Sequence, residues 1–259
     1  MDFGLQGKVA MVAAASKGIG FAIAQLLTQE GCRVSICGRN EETLEQATSQ
    51  LGDEARSYVV DVSDAEDLAW WVEQTQQDLG PVDILVTNTG GPPAGPLDAI
   101  SDEQWQSGFD STLMNIVRLV RAVSPGMQDA GWGRIVHITS YVAKEPSRIL
   151  PISSTLRSGL MALTRLQALE LAPHGITVNG VLPGSTLTDR QRHLADIRAE
   201  REGISPEEAL AKQGADVPIG RLAAPEEIAA AVAFLCSKPA SYVTGTSLLV
   251  DGGLTRGLG

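Results

Sequence analysis

The chain predicts a doubly wound α/β fold, one parallel sheet with helices on both faces. Three observations carry that expectation. Short, β-branched, nearly all-apolar runs recur at 9–13, 33–37, 57–60, 84–87, 134–139, 177–181 and 247–250. Amphipathic stretches separate them, at 19–30, 41–51, 64–79, 102–130, 154–173 and 225–236. No internal repeat, low-complexity tract or Pro/Ser-rich linker interrupts the alternation, so residues 1–259 read as a single domain. A run that is apolar on both sides of its strand must be covered on both faces, which is the condition of a parallel sheet. Right-handed crossovers then set the helices above and below it.

Composition narrows the partners. At 43% hydrophobic, 259 residues supply a sizeable core. The formal net charge is −11 and the pI about 4.7. Nucleic acid and anionic membrane both reward clustered Lys and Arg, so neither is an expected partner. The apolar runs fall far short of the ~20 residues of a membrane helix. The start, MDFGLQGKV, has neither a basic opening nor an apolar signal core, so the expected location is cytoplasmic. Cys32, Cys37 and Cys236 form no CxxC and are expected to be packing residues in a reducing compartment. His137, His174 and His193 fall in separate elements, so no metal site is expected.

Taken in order, the strand ends carry the chemistry. The first strand runs into AAASKGIG at 13–20 and then a helix. Gly18 and Gly20 let the backbone turn tightly and approach a pyrophosphate, with Ser16, Lys17 and Ile19 in the same loop. The helix behind them offers unpaired N–H groups and the positive end of its dipole. Strand, loop and helix in that order make the glycine pair informative. The second strand ends Ile36-Cys37-Gly38-Arg39. An acidic residue about 20 positions past the glycines would hold a ribose 2′-hydroxyl. Arg39 stands there instead, and with Lys17 it suits a 2′-phosphate, so NADP(H) is expected rather than NAD(H). The third run closes on Val60-Asp61-Val62, where a carboxylate can accept from an adenine amino group. The fourth ends Thr87-Asn88-Thr89-Gly90 and opens the loop 91–97; the sixth ends Pro183-Gly184-Ser185-Thr186. All these ends should face one crevice.

Two regions carry more than the alternation requires. Residues 188–214 are highly charged and read as two helices split at Gly203-Ile204-Ser205-Pro206, with Ser205 as N-cap and Pro206 in the first helical position. An insertion past a strand's C-terminal end lies on the ligand side, so this is a candidate lid over a small-molecule substrate. Helices 102–130 and 154–173 carry apolar residues on more than one face; in the second these include Leu156, Leu160, Met161, Leu163, Leu166 and Leu169.

In this order the pieces resemble the short-chain dehydrogenase/reductase family, and within it the 3-oxoacyl-carrier-protein reductase-like members. The resemblance spans residues 6–253: the Gly-rich loop, Asp61-Val62, Asn88-Thr89-Gly90, the segment 134–140, Pro183-Gly184 and TGTSLLVDGG at 244–253. It implies a Rossmann-type domain that interconverts carbonyl and alcohol with NADP(H). It also implies a homo-oligomer, dimer or tetramer, in which helices 102–130 and 154–173 pair across a two-fold axis. The family's carbonyl-polarising serine matches Ser140. Its catalytic tyrosine matches Ser153, and its partner lysine, four residues on, matches Arg157. The helix asparagine matches Thr112, and the first Thr-Gly pair of the loop matches Ala13-Ala14. Tyr141 and Lys144 lie three apart and ahead of the helix, so they do not replace the missing pair.

Those replacements bear on mechanism. Ketone reduction puts negative charge on oxygen, and a donor must supply a proton there. Ser153 can donate a hydrogen bond but is a far weaker acid than tyrosine. Arg157 stays protonated and cannot shuttle a proton, yet it can bond ribose hydroxyls and hold positive charge beside the oxyanion. Losing general acid catalysis typically removes about 10²–10⁴ in rate. An NADP(H)-linked oxidoreductase with altered proton delivery ranks first. A cofactor-binding protein without redox turnover ranks second, and a non-redox lyase or dehalogenase on the same scaffold third. Arg39, Asp61 and Asn88 would have little use in the last. No cluster of Arg or Lys in the sequence singles out an acidic substrate.

Overall fold

In the computed structural model, which describes residues 2–257, seven strands form one parallel sheet in the order β3-β2-β1-β4-β5-β6-β7. They are β1 (Val9–Val12), β2 (Arg33–Gly38), β3 (Ala55–Val59), β4 (Ile84–Thr87), β5 (Gly133–Ile138), β6 (Ile176–Pro183) and β7 (Ser247–Val250). The doubly wound expectation therefore holds. β1, β4, β5 and β6 bury every residue, whereas the edge strands β3 and β7 are half-exposed. The helices are α1 (Gly18–Gln29), α2 (Glu41–Leu51), α3 (Ala65–Leu79), α4 (Asp102–Phe109), α5 (Asn115–Ala130), α6 (Pro151–Leu171), α7 (Asp189–Glu202), α8 (Pro206–Ala215) and α9 (Pro225–Cys236). Ile23 and Leu27 of α1, Leu44 of α2, and Ile228 and Val232 of α9 build the core on one face of the sheet. Trp71 of α3, Ile116 and Leu119 of α5, and Leu160 of α6 build the other.

Local chemistry sets the helix starts. Asn40 accepts from the Thr43 amide to open α2, and Asp64 accepts from the Glu66 and Asp67 amides to open α3. Ser205 and Glu208 cap α8 reciprocally with Pro206 inside, as the sequence predicts. Buried polar groups are tied: Trp71 Nε1 donates to Ser35 Oγ at 2.9 Å, fastening α3 to β2. Asn179 on β6 donates to the Val243 carbonyl at 2.8 Å and accepts from the Thr246 amide at 3.2 Å, holding the chain that enters β7. The thiols of Cys32, Cys37 and Cys236 are free and buried, and burial pushes the first two up to about 12. Among the described residues no helix is long and apolar enough to cross a membrane.

Three boundaries differ from expectation. The stretch 102–130 is not one regular helix: a π-helical turn, Asp110–Met114, separates α4 from α5. Such a turn rotates everything after it by one residue without altering apolar spacing enough to be read. α6 begins at Pro151 rather than 154, so Ser153 lies inside its first turn. Proline at the first helical position was the available signal. The third strand is Ala55–Val59, which leaves Asp61 just past its end.

His137 lies within β5, fully buried, between the Thr87 hydroxyl at 2.8 Å and Gln167 Oε1 at 2.8 Å. With the amide oxygen facing it, Nε2–H donates and Nδ1 accepts. Burial, only partly opposed by Gln167, brings its pKa from the ordinary 6.5 down to about 4. The unfolded chain takes up this proton below about 6.5 and the folded chain does not, so stability falls as pH drops between about 6.5 and 4. Urea unfolding across that window should show a contribution approaching ~1.4 kcal/mol per pH unit, absent from His137→Gln. An unchanged slope in the variant would refute it.

Candidate active-site crevice

The strand order places β1 between β2 and β4, so the chain leaves it in opposite directions on its two sides. The gap left between the two halves, at the strands' C-terminal ends, is the usual ligand site of such sheets. A crevice of about 1330 Å³ lies there. That exceeds the ~300–1,000 Å³ of a pocket for one small ligand and leaves room for a dinucleotide beside a substrate. Arg39 and Asp61 line one part; Ser140, Ser153 and Arg157 line another. Of the residues singled out from sequence, Ser16, Lys17, Gly18, Ile19, Val62, Asn88, Gly90, Pro183, Gly184 and Thr186 also line it, while Gly20 and Thr112 do not.

Gly20 acts from behind the loop. A Cβ there would stand 2.6 Å from the Ala14 carbonyl oxygen and 2.9 Å from Asn88 Nδ2. Asn88 donates to that same carbonyl at 3.1 Å, so it holds the glycine-rich loop against the end of β4. The Ala15 amide bonds the Cys37 carbonyl, tying the loop to β2 as well. Gly18 has φ +61° and Ala14 φ +47°, the one non-glycine residue with positive φ among those described. The left-handed region costs a side-chain-bearing residue about 1–2 kcal/mol, and the surrounding bonds hold Ala14 in it. α1 opens with no side-chain cap and no acidic residue in its first turn, leaving its amides to an anion.

The cations of this half are disposed differently from one another. Arg39 is exposed and forms no ion pair among the described residues. Burial acts to raise the Asp61 pKa, but two hydrogen bonds from Ser63 and the charge of Arg39 outweigh it and hold the carboxyl below its usual range. Lys17 reaches across to Asp189 at the start of α7, 2.7 Å away, in an exposed ion pair.

The other end holds Ser140, Ser153 and Arg157, the residues that the resemblance aligns with the family's catalytic ones. Ser140 Oγ accepts from the Val142 amide at 3.3 Å, which leaves its proton free for the crevice. Ser153 is buried in the first turn of α6, and its hydroxyl bonds no other described residue. Arg157, one turn on, drives Nη1 between the carbonyls of Ile138 at 2.8 Å and Thr139 at 2.7 Å. Its Nε is buried without a partner among the described residues. Thr112 Oγ1 and Asn115 Nδ2, at the π-helical turn, are likewise buried and unpartnered. Tyr141 sits in a 3-10 turn; burial and then Glu145 push its phenol up, the wrong direction for a proton donor near neutral pH.

One residue escaped the sequence reading. Arg190, in the first turn of α7, lines the crevice and donates through Nη2 to the Pro92 carbonyl at 2.8 Å. Nothing in the sequence separates it from its neighbours Arg192, Arg198 and Arg201; only the fold brings it to Arg157.

Residues 13–255 match the family described as enoyl-(acyl carrier protein) reductase. The chain is 36% identical over 250 residues to a 3-oxoacyl-[acyl-carrier-protein] reductase of Vibrio cholerae, covering 96% of this chain and 98% of that one. This chain belongs to the short-chain dehydrogenase/reductase family. A second relative in the family, 2,3-dihydro-2,3-dihydroxybenzoate dehydrogenase of Bacillus subtilis, is 34% identical over 259 residues, covering 98% of each. L-sorbose reductase from Gluconobacter frateurii, solved with NADPH and L-sorbose, superposes over the whole of both chains with a TM-score of 0.94 at 34% identity. As a short-chain dehydrogenase/reductase the protein is an oxidoreductase.

Proposed function

We propose that this short-chain dehydrogenase/reductase interconverts a carbonyl and an alcohol on a small substrate with NADP(H), by an atypical proton route. The observation that carries the cofactor is Arg39, exposed, unpaired and beside Asp61 at the end of β2. A guanidinium there binds a 2′-phosphate bidentately, whereas a ribose hydroxyl would call for a carboxylate. The residues present fit the cofactor. Gly18 lines the cradle without a side chain, Gly20 lets the loop pack on Ala14 and Asn88 behind it, the α1 amides are free, and Asp61 is ionised toward the adenine end. L-sorbose reductase and the actinorhodin polyketide ketoreductase, each solved with NADPH, lend support from the same fold.

The chemistry NADP(H) would supply when held by these residues is hydride exchange with a carbonyl carbon. Ser140 donates its free hydroxyl proton as a hydrogen bond to the carbonyl oxygen. Ser153 supplies a second hydrogen bond without yielding its proton. Arg157 stays charged behind them: burial, and then the charge of Arg190, bring its pKa only to about 10. Positive charge in a dry site stabilises the developing oxyanion. Protonation is then left to water or to a group on the substrate. The α7–α8 hairpin acts as a lid over this end.

Two-fold pairing through α5 and α6 completes the assembly. Leu166 and Leu169 of α6 are 62% and 59% exposed, an apolar face that a symmetry-related copy would bury. Light scattering at micromolar concentration should give a dimer or tetramer, and a monomer would refute the pairing. Calorimetry should find NADPH bound more tightly than NADH, with Arg39→Ala weakening NADPH selectively; equal losses for the two would remove the 2′-phosphate argument. Ser153→Tyr with Arg157→Lys should raise NADPH turnover on an activated ketone toward the ~10²–10⁴ of a general acid, each change alone doing less. Ser140→Ala should lower turnover. A double variant that folds, binds NADPH and stays inert on a broad ketone panel would replace this reading with a binding protein without turnover.

A further inference from the structure

We propose that Arg190 and Arg157 together form the seat of a substrate carboxylate, so that the compound reduced here is an oxo acid. The inference deepens the reductase reading and rests on it for the carbonyl. Its ground is a pair of guanidiniums that the fold brings together without an acidic partner. Arg157 is 6% exposed and Arg190 is half-buried. Arginine this deep is ordinarily paired with a carboxylate, because desolvating the charge is costly otherwise. Here the only acceptors among the described residues are neutral carbonyls: Ile138 and Thr139 for Arg157, Pro92 for Arg190. Donors remain over on both, and Arg157 Nε is buried with no acceptor among the described residues. Both line the same crevice, and the charge of Arg190 acts after burial to lower the Arg157 pKa. Like charges left adjacent and unpaired in a low-dielectric site favour an anion between them.

The crevice's own carboxylates do not fill that place. Asp61 is held by Ser63 near Arg39. Asp189, although next to Arg190 in sequence, turns to Lys17 at 2.7 Å. Asp216 takes Arg198 at 2.8 Å. Glu226 makes no hydrogen bond to either arginine among the described residues. The crevice is thus rich in unneutralised cations inside a chain whose net charge is −11.

Thr188 and Asp189, just before Arg190, touch the glycine-rich loop, but Arg190 itself is fastened elsewhere. The glycine-rich loop and the α1 amides serve a pyrophosphate, and Arg39 serves a 2′-phosphate. Arg190 instead fastens α7 to the loop after β4. A Cβ on Gly91 would lie 3.5 Å from Arg190 Nε, and Pro92, its acceptor, is 3.5 Å from a Cβ on Gly108. That same Cβ would strike Ile152, the neighbour of Ser153. Arg190 therefore stands over the start of α6, where Ser140 and Ser153 open onto the same cavity. A carboxylate held there keeps a nearby carbonyl within reach of both serines.

The test uses the full chain with NADPH and two matched pairs, acetoacetate with methyl acetoacetate and 2-oxobutanoate with methyl 2-oxobutanoate. At least one acid should exceed its ester in kcat/KM by about 10–100-fold, the worth of charge-assisted bonds. Arg190→Met should bring that ratio near one by raising KM for the acid, and Arg190→Lys should restore part of it. A second readout needs no turnover. Calorimetry should show malonate binding to the NADP⁺-loaded wild type and not to Arg190→Met, with dimethyl malonate binding neither. Malonate binding without turnover of any compound would uphold the seat and sink the reductase reading. Ester turnover equal to acid turnover, with malonate ignored, would overturn the seat and leave the reductase reading standing. Loss of NADPH affinity in Arg190→Met would assign Arg190 to the cofactor and also overturn it.

Discussion

A parallel sheet buried on both faces admits only one kind of connection. Each strand must send its chain over the end, through a helix, and back to start again at the opposite edge. Every loop that leaves a strand therefore lies on one side, and the order β3-β2-β1-β4-β5-β6-β7 opens a gap between the two directions of winding. The glycine-rich loop, Arg39, Asp61, Asn88, Ser140 and Pro183-Gly184 all inherit their position from this constraint. What the protein does is written in which side chains stand at those ends.

The two parts of the crevice solve different electrostatic problems. On the proposed nucleotide side the anions would be met mostly by backbone and surface groups: free amides at α1 and an exposed guanidinium at Arg39. These cost little to keep charged, since water reaches them. On the proposed substrate side Arg157 lines the crevice but is nearly buried, and its charge is sustained by two peptide carbonyls. Buried positive charge is costly in the empty site and most useful when negative charge arrives. A site lacking a strong acid can stabilise an oxyanion in this way before any proton reaches it. On the proposed reading, a weak donor at Ser153 beside strong charge at Arg157 and Arg190 would set the chemistry apart from a tyrosine-lysine site.

Much of the fold was legible because its signals are local. Runs such as VAMV and ILVT can only be strands covered on both faces. Ser205-Pro206 marks a helix start through its own side chains. The glycine pair and Arg39 were readable because their places in the first two crossovers are fixed by chain order. The π-helical turn at Asp110–Met114 was not, because one inserted residue in a helix leaves the apolar period nearly unchanged. The start of α6 was missed by a single turn, which moved Ser153 from ahead of the helix to within it.

By itself the sequence determined the sheet and the residues that stand at its strand ends, since each follows from pattern or chain order. Only the tertiary structure decided what those residues face. It turned Lys17 toward Asp189, set Asn88 to brace Ala14, and left the Ser153 hydroxyl without a partner among the described residues. It also brought Arg190 from α7 to Arg157 of α6 across the loop at Pro92. Charge pairing is a matter of distance in space. Residues far apart in the chain carry no mark that they will meet, or that no carboxylate will come between them.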